Sequence, residues 1–222
     1  RDLSGTGWGM KFDFIIIHEA GHEWFANNIT YKDVADMWIH ESFTNYSESL
    51  FLDYHYGKEA GQAYVRGTRM NIANDIPIIG AYGLNQRGSG DMYYKGGNLL
   101  NMLRQILNDD EQWRQILRGL NETFYHQTVT TAQVESYISK QMGMNLGKVF
   151  DQYLRDARIP ILEYYQQDGV LHYRWISAVK DFDMPVDVLV DGSTKRLQPK
   201  TTWQKLQRTS AQDLVVDPDC YV

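Results

Sequence analysis

Along the first 157 residues apolar side chains recur at three- and four-residue steps, and beyond them the chain breaks into short alternating runs. The change of period predicts a mainly α chain, a helical lobe followed by a small β unit. The first helix is expected over about 11–27, with Phe12, Ile15, Ile16, Trp24 and Phe25 on its apolar side. A second, over 37–56, follows Asp36 as its N-cap and stops at Gly57, the residue type that commonly follows a helix C-terminus. Further helices fit 58–74, 91–108, 110–126, 131–142 and 146–157, with Thr130 and Gln133 forming a capping-box signal for the penultimate one. Residues 76–90 hold Pro77, Gly80, Gly83, Gly88 and Gly90 and read as an irregular loop suited to lining a cleft.

After Pro160 the runs 161–166 and 170–176 flank Asp168-Gly169, a strong hairpin signal. A second pair, 186–190 and 195–198, is joined through Asp191-Gly192, and 202–206 and 214–216 complete an expected antiparallel sandwich. The remaining Trp and Met residues read as core. No internal repeat or low-complexity tract is present.

Composition narrows the class. The 222 residues are 43% hydrophobic and 23% charged, an ordinary globular balance. The formal net charge of −6 disfavours a nucleic-acid partner, which needs clustered basic side chains. No run of about 18 uninterrupted apolar residues predicts a transmembrane segment. The single cysteine, Cys220, has no internal disulfide partner and is a poor nucleophile candidate beside the chain end. Compartment is left open.

The chemistry concentrates in His18-Glu19-Ala20-Gly21-His22, inside the first expected helix. Histidines at i and i+4 share one helical face and can reach one ion, while Glu19 is offset by about 100° toward the ion's open side. Two imidazoles with an adjacent carboxylate are what metal-assisted hydrolysis needs, and chance yields the pattern on the order of 0.01 times per chain. Catalytic zinc takes a third protein ligand. Glu41 on the second helix is the candidate, flanked by Trp38, Ile39 and Phe43, where an unpaired carboxylate would be costly. Glu48 falls on nearly the same face and Asn45 lies between; one of these two is expected to hydrogen-bond a ligating His.

The His18-Glu19-x-x-His22 motif, with Glu41 nineteen residues after His22, resembles the gluzincin zinc aminopeptidases, the alanyl aminopeptidase and leukotriene A4 hydrolase group. Trp24-Phe25 and Asn27, Asp36-x-Trp38-x-x-Glu41, and Tyr93-Tyr94-Lys95-Gly96 support it. The resemblance implies that residues 1–157 are the C-terminal, helical part of a thermolysin-like catalytic lobe and 158–222 the β-sandwich that follows. It also implies one Zn²⁺ on His18, His22 and Glu41, Glu19 as general base, and Tyr93 as the donor to the oxyanion, with Tyr94 the alternative if the register differs. There are departures: His40-Glu41-Ser42 stands where the family commonly has Asn-Glu-Gly, and Ala26 replaces a Gly. Nothing in residues 1–17 matches the Gly-x-Met-Glu-Asn segment that anchors the substrate amine in that family. The chain is therefore expected to be the C-terminal part of a longer peptidase acting on peptides with a free N-terminus, and activity of the isolated piece is not implied.

Two other readings keep the same site: an endopeptidase or epoxide hydrolase, and a zinc-stabilised scaffold or binding domain without activity. A structural zinc needs a fourth ligand and no base, so Glu19 and Tyr93 favour the enzyme. His40, His55, His126 and His172 have no ligand spacing to a partner and read as solvent-facing or hydrogen-bonded residues. Arg66, Arg69 and Arg87 are surface candidates that could meet a substrate carboxylate. Oligomeric state is not readable.

Overall fold

The structure is a computed structural model that describes residues 1–190, 192–207 and 214–222. Among them the helices are α1 (Phe14–Gly21), α2 (Trp38–Tyr56), α3 (Lys58–Gly67), α4 (Tyr94–Leu107), α5 (Asp110–Thr123), α6 (Thr131–Met142) and α7 (Gly147–Arg155). Two short strands, β1 (Ile29–Tyr31) and β2 (Gln127–Val129), pair in parallel within this lobe. The β unit contains β3 (Ile161–Gln167), β4 (Val170–Ile176), β5 (Val186–Val190), β6 (Ser193–Leu197), β7 (Gln204–Gln207) and β8 (Val215–Val216).

Helix α2 is the axle of the helical lobe, packing against α1, α3 and α4. Its inner face buries Trp38, Ile39, Phe43, Tyr46 and Leu52, and Gly57 ends it at φ 94°. Helix α4 lies close against it because Gly96 and Gly97 face it: a Cβ at Gly96 would run into Ser42 Oγ, and one at Gly97 into Asn45 Oδ1. Asp13 and Asp109 cap α1 and α5 through their side chains, and Thr130 with Gln133 closes the expected capping box on α6.

The helix pattern is corrected in four places. The first helix does not run from 11 to 27: α1 ends at Gly21, a wide π-type turn follows over Glu23–Asn28, and Phe25 and Ala26 leave helical geometry. Helix α3 stops at Gly67 and continues only as the 3₁₀ turn Thr68–Asn71. Residues 91–108 are split at Tyr93 between a 3₁₀ turn, Gly90–Met92, and α4. Asp36 is not the N-cap of α2, which begins after Met37 with no side-chain cap. Its Oδ1 instead accepts from the backbone N–H of Thr131 (3.1 Å), the first residue of α6, and from the hydroxyls of Thr131 (2.5 Å) and Tyr82 (2.7 Å). A buried carboxylate finds that positive helix end more favourable than a local cap.

The core assignment also needs correction. Ile15, Ile16 and Trp24 are 55, 64 and 56% exposed, and Met10 and Met70 lie at the surface. Trp38, Trp113 and Trp175 are core, as expected.

The β unit is two three-stranded antiparallel sheets, in the orders β3-β4-β7 and β6-β5-β8. The β3–β4 hairpin pairs Ile161 with Ile176 through to Gln167 with Val170, closed by Asp168 and Gly169, both at positive φ as a type I′ turn requires. Strand β4 turns Leu171, Tyr173 and Trp175 inward, and β5 turns Val186, Val188 and Val190 inward. One hydrophobic cluster runs from Phe43, Leu99 and Phe150 to Trp175, Phe182 and Val188, joining the two units. Asp191, part of the second expected turn, lies outside the described residues. Among the described residues no helix is long and apolar enough to cross a membrane.

Candidate metal centre

Helices α1 and α2 bring the three expected ligands together. Donor atoms of His18, His22 and Glu41 all lie within 4.8 Å of one another. Glu41 Oε2 is 3.2 Å from His18 Nε2 and 3.7 Å from His22 Nε2. The other nitrogen of each ring is occupied. His18 Nδ1 meets Glu48 Oε1 at 3.0 Å, and His22 Nδ1 meets the Phe25 carbonyl at 3.1 Å. When the rings are neutral and Nδ1 of each donates, their Nε2 lone pairs are free for an ion beside Glu41 Oε2, two nitrogens and one carboxylate oxygen that suit Zn²⁺, whereas in the ion-free protein a proton on His18 Nε2 takes that place. The π-type turn after His22 supplies the Phe25 carbonyl, so the break in the first helix is part of how the His22 ring is oriented.

Electrostatics agree with the geometry. Burial works against a charged His18, but hydrogen bonds and charge from Glu41 and Glu48 outweigh it and lift its pKa to about 9. Burial of Glu41 likewise opposes its charge, yet the His18 hydrogen bond and the charges of His22 and His18 hold it below the ordinary carboxylate range. The carboxylates of Glu41 and Glu48 thus favour a positive charge at His18.

Of the pair Asn45 and Glu48, it is Glu48 that touches one of the expected ligands, His18. It is 1% exposed and fully engaged: besides His18, it accepts from Asn45 Nδ2 (3.2 Å) and from the Tyr64 hydroxyl (2.6 Å). Tyr64, on α3, has no spacing relation to the motif and was not readable from the sequence. Nor was Thr44, whose hydroxyl lies 3.1 Å from His18 Nε2. His40 stands apart from the metal position, accepting from the Tyr31 backbone N–H through Nε2 (3.1 Å). Burial, and then the charge of His22, hold its pKa down at about 4.

A cleft of about 520 Å³ opens over these groups. His18, Glu19, His22, Glu41, Asn45, Glu48, Tyr93 and Tyr94 line it, with Leu3, Phe14 and Ile15 as an apolar wall. Glu19 is exposed on this surface. The Tyr93 ring sits 5.8 Å from that of His18, and burial, the Glu41 charge and a hydrogen bond to Glu41 raise its pKa. Tyr94 is raised by burial and then by Glu48, deeper in the site. The glycine-rich loop does not line this cleft: it is held away by Gly83 N–H on Asp33 Oδ2 (2.9 Å) and by Tyr82 on Asp36. Arg66 and Arg69 are engaged by the C-terminal segment, through Asp219 Oδ1 and the Pro218 and Asp219 carbonyls.

The chain is similar to "Aminopeptidase N" of Lactobacillus helveticus, 26% identical over 178 residues, covering 71% of this chain and 20% of the relative. It is 27% identical over 138 residues to mouse "Endoplasmic reticulum aminopeptidase 1", covering 58% and 15%. The chain thus spans a fifth or less of the length of these relatives. Its fold is shared with an M1 zinc metallopeptidase from Deinococcus radiodurans, solved with a Tyr-Ser-Ala substrate, at TM-score 0.59 and 23% identity over 68% of this chain and 34% of that one. Aminopeptidase A of Legionella pneumophila aligns over 92% of this chain and 24% of its own, at TM-score 0.62 and 14% identity. Residues 10–153 match the model of the peptidase family M1 domain, and the chain belongs to that family.

Proposed function

We propose that this chain carries the metal centre of a zinc metallopeptidase of aminopeptidase type and is part of a longer peptidase. The observation that carries the reading is the convergence of His18, His22 and Glu41 within 4.8 Å, beside Glu19 in one cleft. His18 Nε2, His22 Nε2 and a Glu41 oxygen would hold one Zn²⁺, which supplies a lowered water pKa and polarisation of the scissile carbonyl. Glu19 takes a proton from the attacking water and delivers it to the leaving amine nitrogen as the C–N bond breaks. Tyr93 donates its phenolic hydrogen to the developing oxyanion. The Tyr93 ring lies 5.8 Å from that of His18 and its hydroxyl is influenced by Glu41, whereas Tyr94 is influenced by Glu48, which favours Tyr93 for this role. Glu48 fixes the orientation of His18, and Asn45 and Tyr64 fix Glu48.

Metal analysis tests the centre: we expect about one zinc per chain, retained in Glu19→Gln and lost in His22→Ala. In the full-length protein Glu19→Gln should retain zinc and lose turnover of an aminoacyl arylamide. Wild-type turnover in that variant overturns the role of Glu19. Refusal of an N-acetylated peptide that is cleaved when its amine is free supports the aminopeptidase over an endopeptidase. Zinc with a fourth protein ligand and no turnover would instead identify a scaffold.

A further inference from the structure

The oxyanion donor proposed above stands at a backbone break, and one side chain outside the recognised motif holds that break in place. The 3₁₀ turn Gly90–Met92 ends at Tyr93, which adopts φ −77°, ψ −80°, and the first rung of α4 is Gly97 N–H on the Tyr93 carbonyl (2.8 Å). The carbonyl just before, that of Met92, lies outside that ladder. Ser42 Oγ donates to it at 2.6 Å, across fifty positions of sequence. Ser42 is 0% exposed and directly follows Glu41, the proposed third ligand. Gly96 is packed so closely on this hydroxyl that a Cβ there would collide with it, so the hydroxyl is confined from the α4 side as well.

We propose that Ser42 is a positioning residue for Tyr93: its hydroxyl ties the backbone beside the oxyanion donor to the helix that presents the metal ligand. The inference rests on the reading of Tyr93 above. A buried hydrogen bond one residue from Tyr93 fixes the direction in which the phenol leaves the backbone, and a misplacement of about 1 Å at a reacting group can cost up to about 100-fold in rate. A role confined to packing would alter stability and leave the chemical step alone.

The test uses the zinc-loaded full-length protein with Ser42→Ala and Ser42→Gly, alone and combined with Tyr93→Phe. Ser42→Gly also removes the hydroxyl and keeps the test open if the alanine variant folds poorly. Both single variants should lower kcat for an aminoacyl arylamide by about ten-fold with KM within two-fold, because the contact they disturb is made in the transition state. Zinc affinity should stay within two-fold. Affinity for a phosphinic dipeptide, whose P–O⁻ imitates the oxyanion, should fall in parallel with kcat. In the Tyr93→Phe background either substitution should add less than a two-fold further loss. The proposal is overturned if kcat is unchanged, if the loss is undiminished in the Tyr93→Phe background, or if zinc affinity falls together with kcat, which would place the effect at Glu41. If Tyr93→Phe itself turns over at the wild-type rate, the oxyanion reading fails, and the role of Ser42 fails with it. Loss in Tyr93→Phe without loss in either Ser42 variant removes Ser42 alone.

Discussion

Replacing Glu48 separates what the proposed zinc site needs from what the fold needs. This side chain is 1% exposed and takes hydrogen bonds from His18 Nδ1 (3.0 Å), Asn45 (3.2 Å) and Tyr64 (2.6 Å). Glu48→Gln keeps the shape. The amide oxygen still accepts from His18, and the amide nitrogen can donate to the Tyr64 oxygen, so few groups lose a partner. What disappears is the negative charge behind His18, the charge that makes its Nε2 a better base. Loss of such a partner typically lowers metal affinity 10- to 100-fold, which is about 1.4–2.7 kcal/mol. Glu48→Ala removes the acceptor as well, leaving the Tyr64 hydroxyl and the Asn45 amide buried without a partner, a further cost of about 1–3 kcal/mol to the fold. Zinc competition against a chromophoric chelator at neutral pH reads the first effect, and urea unfolding of the metal-free protein reads the second. The expected pattern is weak zinc and near-normal stability for Gln, with both lowered for Ala. Tyr64→Phe, which spares the carboxylate, should change zinc affinity by less than about three-fold. A Glu48→Gln protein that binds zinc within two-fold of wild type refutes the argument.

Three further outcomes are expected. The metal-free protein should lose stability as pH rises from about 6.5 to about 9, because the proton on His18 is held more tightly folded than unfolded, and this stabilisation is complete below the unfolded pKa and gone above the folded one; thermal melts across that range check it, and the zinc-loaded protein should show a smaller slope. Gly96→Ala should cost about 1–3 kcal/mol despite the better helix propensity of Ala, since its methyl would enter the space of Ser42 Oγ; an unchanged urea midpoint would show that α4 can move off α2. Cys220 is buried, and burial followed by the charge of Asp217 pushes its thiol up to about 12, so a disulfide reagent at pH 8 should modify it at the rate of unfolding and rapidly in urea.

What could be read from the sequence was what is local. The His18–His22 spacing and the placing of Glu48 seven residues after Glu41 are properties of a helix, and the structure returns both, the first on α1 with His22 as its helical C-cap residue and the second on α2. The β3–β4 hairpin was legible for the same reason: its turn residues and its alternation are adjacent in the chain. The misses are tertiary. Asp36 has a good capping residue type, but its partner is the N-terminus of a helix 95 positions away. Strands β1 and β2 are three residues each and exist only because two loops meet, which leaves too short a pattern to detect. Tyr64, on α3, contacts Glu48, and Ser42 contacts Met92 in the turn that precedes α4; no period within one segment encodes either contact. On α1, periodicity marked Ile15 and Ile16 as one apolar face, yet periodicity states only that a face is apolar, not that a partner covers it, and here both are exposed.

The charge balance illustrates how structure sharpens a composition argument. Residues 1–57 hold nine acids and three bases, a formal −6 that equals the charge of the whole chain. Most of those acids are spent on the scaffold. Asp2 holds Ser4 and Gly7, Asp13 caps α1, Glu23 accepts from Asn27, Asp33 holds Ala35 and Gly83, Asp36 holds α6, and Asp53 pairs with Arg104. Three remain in the cleft, Glu19, Glu41 and Glu48, and among the described residues no Lys or Arg lines it. A bound dication would therefore leave the cleft with one net negative charge, inside walls that include Leu3, Phe14 and Ile15 and weaken screening by solvent. That residual charge is of the sign that favours a protonated peptide amine over an acylated one. The acidic surplus thus contributes to the proposed specificity through three residues, while its other members serve helix ends and turns.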